Sequence, residues 1–113
     1  MNVDIPQTWL FDVDTGNLSA GPGADMWFEA VTETERYFTP FRGAGMVKVG
    51  STAPEYEGCA TASYSTARIP VQKVPVGSYL CLQTVGGRFS ELRLLATIGP
   101  SPGTMSLHVR TWE

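Results

Sequence analysis

Glycine and proline interrupt this chain so often that long helices do not fit between them. The sequence contains 12 Gly and 8 Pro, and they separate apolar runs rather than forming one tract. Turn signals recur about every 8 to 12 residues, a spacing typical of sandwiches and closed barrels. The sequence therefore predicts an all-β fold, a small sandwich or closed barrel of about seven to eight short, mostly antiparallel strands.

Several runs alternate between apolar and polar residues, as half-buried strands do. In GSYLCLQT, Leu80 and Leu82 face one way, and Tyr79 and Cys81 face the other. The glycines of Val85-Gly86-Gly87 then supply a hairpin turn, because glycine accepts the positive φ that such turns require. Further strands are predicted in the segments TWLFDVD, DMWFEAV, GMVKVG, RFSELRLLATIG and TMSLHVRTW.

Three segments have weaker patterns. TETERYF is predicted to end as a strand, with one helical turn over 32–36 as the alternative. Residues 51–58 are predicted to be a loop. CATASYSTARIPV is predicted to be a strand, or two edge segments divided by Pro70, that starts at Cys59.

Length and charge predict a single domain over residues 1–113 and exclude some partners. A chain of 113 residues can bury one core. The net charge is −3, and the basic residues do not cluster as phosphate recognition requires, so no nucleic-acid binding is predicted. No apolar stretch approaches the roughly 20 residues that span a bilayer, so no membrane insertion is expected. The start MNVDIPQTW lacks the features of a signal peptide, and no cofactor is predicted.

In the stretch FDVDTG, Asp14 begins an Asp-Thr-Gly triplet that follows an apolar run. Retropepsin-like aspartic proteases present their catalytic carboxylate in the same way. Such enzymes use two carboxylates that share one proton, so this short chain would have to act as a homodimer. Asn17 follows Gly16 where that family has Ala or Ser. The preferred interpretation is a turn in which the Asp14 side chain acts as a cap and Gly16 has positive φ.

Two other chemistries are considered and not predicted. Asp12, Asp14 and Asn17 resemble the start of a calcium loop, but the twelfth position from Asp12 is Gly23 where an EF-hand needs Glu. An irregular cation site that uses Asp25 stays open, although no metal site is predicted. His108 is the sole histidine, and no GxSxG motif accompanies it, so the domain is expected to be non-enzymatic.

Aromatic residues are too numerous for one small core. Trp27 and Phe28 are adjacent, so they must point to opposite faces of a strand. Some aromatic surface is therefore expected to be exposed and available to a ligand. The predicted ligand-binding residues are Trp9, Trp27, Tyr56 and Trp112. The alternative is a sandwich with two aromatic-rich layers.

Cys59 and Cys81 are the only cysteines. In an exported domain a lone pair more often forms a disulfide, whereas in a cytosolic domain such residues are usually small buried hydrophobes. The sequence by itself leaves both alternatives open.

Two long stretches resemble β-rich accessory domains of unassigned role in bacterial extracytoplasmic multidomain proteins of actinobacterial type, including receptor kinases. They are GADMWFEAVTETERYFTPFRGAGMVKVG and CATASYSTARIPVQKVPVGSYLCLQTVGGRFSELRLLAT. The resemblance implies that Cys59 and Cys81 are paired and that Gly77 and Gly87 lie in turns. It supplies no active-site residue.

The prediction is therefore a non-enzymatic recognition or accessory domain that binds a carbohydrate or a partner protein, located outside the cell or on its surface. The alternative is a small homodimeric aspartic protease that uses Asp14.

Overall fold

The computed structural model describes residues 1–18 and 23–112. Two antiparallel sheets, of five and four strands, enclose one hydrophobic core. The all-β prediction is confirmed, and of its two architectures the sandwich is the one observed. The described residues form nine strands rather than seven to eight, and two of the nine are only two residues long.

The five-stranded sheet has the order β1-β9-β8-β7-β5. Its strands, in chain order, are β1 (Asn2–Pro6), β5 (Gly45–Gly50), β7 (Tyr79–Gln83), β8 (Phe89–Leu94) and β9 (Thr104–Trp112). Leu80 and Leu82 face the core as the alternation of GSYLCLQT predicts. Strand β1 has no counterpart among the predicted strands, because its alternating run Met1, Val3 and Ile5 is short and ends at Pro6.

The four-stranded sheet has the order β2-β3-β4-β6. Its strands are β2 (Leu10–Phe11), β3 (Met26–Ala30), β4 (Arg36–Pro40) and β6 (Ile69–Pro70). Of the two alternatives for TETERYF, the strand is the one observed. Before it, the backbone N–H groups of Thr34 and Glu35 donate to the Thr32 hydroxyl and close the β3–β4 turn.

The core lies between the inner faces of the two sheets. Three fully buried phenylalanines, Phe11, Phe28 and Phe38, come from the four-stranded sheet. They meet aliphatic side chains of the other sheet, namely Ile5, Leu80, Leu82, Leu92, Met105, Leu107 and Val109. Ordinary alternation of apolar residues therefore accounts for the interior.

One helix departs from the prediction. Residues 51–58 were expected to form a loop and Cys59 to start a strand, but Glu55–Ala60 form a helix, α1. Six residues are too few for an isolated helix to be stable or to leave a readable 3.6-residue pattern. Gly58 permits the tight first turn, since a Cβ there would lie 2.7 Å from the Pro54 Cβ.

The turn glycines agree with expectation. Gly77 and Gly87 have φ values of +87° and +86°, in the left-handed region that favours glycine. In residues 1–18 and 23–112, α1 and the short 3₁₀ turn Val71–Lys73 are far too short for a helix to reach across a bilayer.

Candidate ligand-binding surface

A disulfide attaches α1 to the outer face of the five-stranded sheet. Cys59 on α1 and Cys81 on β7 are bonded, with their Cα atoms 5.3 Å apart. Both residues are fully buried. The predicted pairing is confirmed, although Cys81 reaches a helix and not a neighbouring strand. A structural disulfide is typical of proteins in oxidising compartments.

Polar contacts hold the first turn of α1 over the same sheet. The backbone N–H of Glu55 donates to Glu91 Oε1 at 3.1 Å, and Glu91 is a buried residue of β8. Arg110 on β9 donates through Nη1 to Glu55 Oε2 at 3.2 Å. One cross-strand row contains Cys81, Glu91 and Arg110. This row therefore fixes α1 at two points, Cys59 and Glu55.

Four aromatic rings gather beside α1, and we call this group the aromatic corner: Tyr56, Tyr64, Phe89 and Trp112. The centroid of the Tyr56 ring lies 5.9 Å from that of Phe89 and 5.8 Å from that of Trp112. Tyr64 stacks on Phe89 with a centroid distance of 5.9 Å. Phe89 and Trp112 are register partners on β8 and β9. Pairing of the two strands therefore assembles half of the group, and α1 adds Tyr56.

The rings form a corner and not a flat platform. Tyr56 stands at 82° to Phe89 and at 75° to Trp112, the edge-to-face arrangement that aromatic quadrupoles favour. Tyr56 is 46% exposed. Arg110 lies over the Trp112 ring at 4.9 Å from its centroid. An exposed ring set upright on two others offers both a face and an edge to a ligand.

A hydrogen bond fixes the position of Tyr64 in the aromatic corner. Its hydroxyl donates to the Cys59 carbonyl at 2.7 Å, and burial raises the pKa of its phenol to about 12. Tyr64 therefore stays neutral across the physiological range and ties the ring stack to the last turn of α1.

The other two predicted ligand residues lie elsewhere. Trp27 is on the outer face of the four-stranded sheet, where its indole N–H donates to the Thr8 carbonyl at 3.0 Å and its ring meets Phe41 edge-on at 6.5 Å. Trp9 is 43% exposed just before β2, and none of the ring pairs among the described residues includes it. Of the predicted set, only Tyr56 and Trp112 are in contact.

Three aspartates cluster at the turn that follows β2. One carboxylate oxygen from each of Asp12, Asp14 and Asp25 lies within 4.8 Å of the others. Asp12 Oδ1 accepts the Asp14 backbone N–H at 2.8 Å, so the capping side chain is that of Asp12 and not, as predicted, that of Asp14. Gly16 has the expected positive φ, +79°.

Burial sets the protonation of Asp25 in this cluster. Asp25 is 3% exposed, and burial, followed by the nearby charges of Asp14 and Asp12, raises its pKa to about 7 against the opposing effect of the hydrogen bond from the Val13 N–H. Asp14 is also paired with Arg88, whose Nη1 lies 3.2 Å from Asp14 Oδ1. Among the described residues, these three carboxylates could hold a cation. Their arrangement is irregular and includes Asp25, the alternative that the sequence left open.

His108 lies on the exposed face of β9. Its register neighbours are Asn2 on β1 and Arg93 on β8, neither a nucleophile nor an acid. On the same face, the Ser106 hydroxyl donates to Asp4 Oδ1 at 2.7 Å.

Comparison of the chain with protein-family models, with curated proteins and with solved structures gives no match. The class that the fold itself defines is a disulfide-linked two-sheet β-sandwich with one short helix on its outer face.

Proposed function

We propose that this domain is a non-enzymatic recognition or accessory module that binds its ligand, a carbohydrate or a partner protein, at the aromatic corner. The observation that carries the proposal is the placement of Tyr56, 46% exposed, against Phe89 and Trp112 on a helix that a disulfide holds to the sheet. Aromatic anchors of this kind lose little side-chain entropy on binding and bring a large contact area.

The charge balance at the corner favours a neutral ligand. Two charged side chains beside the corner, Arg110 and Glu55, are paired with each other at 3.2 Å. A sugar ring can stack on the face of one aromatic ring while its hydroxyls reach this ion pair. Among the two ligand classes, we therefore test carbohydrates first.

The setting that fits this function is outside the cell or on its surface. The Cys59–Cys81 disulfide supports an oxidising compartment. The resemblance to accessory domains of bacterial extracytoplasmic proteins supports a place within a larger multidomain protein.

The alternative function, a homodimeric aspartic protease, rests on the Asp-Thr-Gly triplet alone. In this structure Asp14 is paired with Arg88, whose Nη1 lies 3.2 Å from Asp14 Oδ1. We expect no pepstatin-sensitive cleavage of a denatured substrate between about pH 4 and 6, where a shared-proton dyad operates. Cleavage that disappears in Asp14→Asn would establish the protease instead.

A glycan array tests the leading proposal. We expect the wild-type domain to retain a set of neutral glycans and Tyr56→Ala and Trp112→Ala to lose them, with affinity reduced about tenfold or more because each change removes a stacking anchor. Trp9→Ala is the matched control, since it removes an exposed aromatic residue away from the corner and should leave binding intact. Binding that survives both corner substitutions would refute the assignment.

A further inference from the structure

A concave region apart from the aromatic corner lies where the start of β4, the 3₁₀ turn Val71–Lys73 and the β8–β9 loop meet. It is a cleft of about 300 Å³. Its walls are mainly aliphatic, from Val71, Val74, Pro75, Val76, Leu94 and Ile98. Its volume is at the lower end of the range of small-molecule sites, which are mostly apolar with few polar groups.

Arg36 is the one charged residue that lines this cleft. Its Nη1 donates to the Gly99 carbonyl at 2.7 Å and to Gln7 Oε1 at 3.3 Å. Those contacts hold one edge of the guanidinium against the β8–β9 loop. The close fit is maintained by Gly103, where a Cβ would lie 2.7 Å from Arg36 Nη1.

One nitrogen of the guanidinium lacks a hydrogen-bond partner. Arg36 Nε is buried and, among the described residues, is the one buried side-chain nitrogen or oxygen without a hydrogen-bond partner. None of the ion pairs in that part of the chain includes Arg36. A buried donor on a charged group is costly when it is unpaired, so such a group calls for an acceptor.

The surrounding groups do not supply that acceptor. Gln72 borders the cleft, but its side-chain amide nitrogen donates to the Thr34 carbonyl at 3.0 Å. Glu33 lines a neighbouring hollow that shares Arg36 and Gln72 with the cleft, and it forms no ion pair with Arg36. The cleft thus combines the positive charge of Arg36, which forms no ion pair among the described residues, with an aliphatic wall.

We propose that this cleft binds a small monocarboxylic acid with an aliphatic body. The carboxylate pairs with the guanidinium of Arg36, the one charged group that lines the cleft, through charge-assisted hydrogen bonding. The aliphatic body packs against the valine, leucine and isoleucine side chains of the wall. This site uses none of the residues of the aromatic corner, and the inference does not depend on the proposed function.

The test is a titration of the ¹⁵N-labelled full chain with 4-methylpentanoate, followed by NMR, with 4-methylpentanamide as the uncharged match. We expect amide shifts at the cleft residues, with the carboxylate at least about tenfold tighter than the amide, as charge-assisted hydrogen bonds imply. Equal binding of acid and amide, shifts outside the cleft, or no shift up to about 10 mM acid would each overturn the proposal.

Variants separate charge from shape. Arg36→Gln should abolish the preference for acid over amide, while Arg93→Gln, at an exposed arginine of β8, should keep it. Since Arg36 also ties β4 to the loop, Val76→Asp provides a second test at an exposed rim position. Its new carboxylate should compete for Arg36 and weaken acid binding about tenfold relative to Val76→Asn. Unchanged acid binding in Arg36→Gln or in Val76→Asp would contradict the assignment.

Discussion

Asp25 is the residue at which burial and charge conflict most clearly. Its carboxyl group is enclosed between Asp12, Asp14 and the Val13 N–H, and its pKa is raised to about 7. The folded protein therefore holds a proton there that an unfolded chain, whose aspartates titrate near 3.9, releases at much lower pH. The turn after β2 is stable with a neutral Asp25 and is weakened when Asp25 ionises.

This predicts that the free energy of unfolding decreases as pH rises from about 4 to about 7 and levels off above that range. Between these values the folded state binds more protons than the unfolded state, so raising the pH favours unfolding. Asp25→Asn mimics the neutral carboxyl, and we expect it to remove this slope and to be more stable than wild type at pH 8 by about 1 to 3 kcal/mol.

The measurement is urea unfolding at a series of pH values in EDTA, which keeps adventitious cations away from the three carboxylates. Asp4→Asn, at an exposed aspartate of β1, is the control and should retain the wild-type slope. If Asp25→Asn shows the same pH dependence as wild type, the raised pKa is not the cause.

At the scale of elements, α1 is a helix maintained by its attachments. It has no side-chain cap at its N-terminus and no basic residue in its last turn, and it is far shorter than helices that are stable alone. Its position depends on the disulfide to β7, on Glu91 and on Arg110.

We therefore expect the double variant Cys59→Ala/Cys81→Ala to lose about 3 kcal/mol of unfolding free energy, the value that the chain-entropy model gives for a loop of this length. The residues are 22 apart in sequence. Denaturant unfolding of the variant and of wild type provides the difference. An accompanying thiol titration of unfolded, unreduced wild type should detect no free thiol, and two per chain would contradict the disulfide.

The elements that the sequence predicts well are those whose own residues alternate. GSYLCLQT and TMSLHVRTW become β7 and β9, because every second residue meets the core. The elements that it misses depend on partners distant in sequence. Strand β1 exists through its pairing with β9, where Ile5 lies opposite Met105, and α1 exists through Cys81 and Glu91.

At the scale of the whole molecule, the sheet order decides which aromatic residues come into contact. The sequence identified Tyr56 and Trp112 by residue type, but their contact requires β8 to pair with β9 and α1 to lie over both strands. Phe89 and Tyr64 were not among the predicted ligand residues. The contact between Phe89 and Trp112 could be predicted only if the register of β8 and β9 were known. A long loop joins these two strands, and its length does not determine their register.

The sheet order also explains why Trp9 and Trp27 lie apart from Tyr56 and Trp112. Trp27 belongs to the four-stranded sheet, whose outer face points away from the five-stranded sheet that carries Trp112. A pattern of exposed aromatic residues can thus predict that a ligand surface exists, whereas the topology determines which residues share it.

We propose that α1, held to the five-stranded sheet by its disulfide, forms the recognition surface. The most direct test is to compare the glycan-array profile of the wild-type domain with that of Cys59→Ala/Cys81→Ala, under conditions where amide hydrogen exchange confirms that β7, β8 and β9 remain protected. We predict that release of α1 displaces Tyr56 and lowers the signals of the bound glycans about tenfold or more. An unchanged profile on a variant whose sheets are intact would contradict the claim.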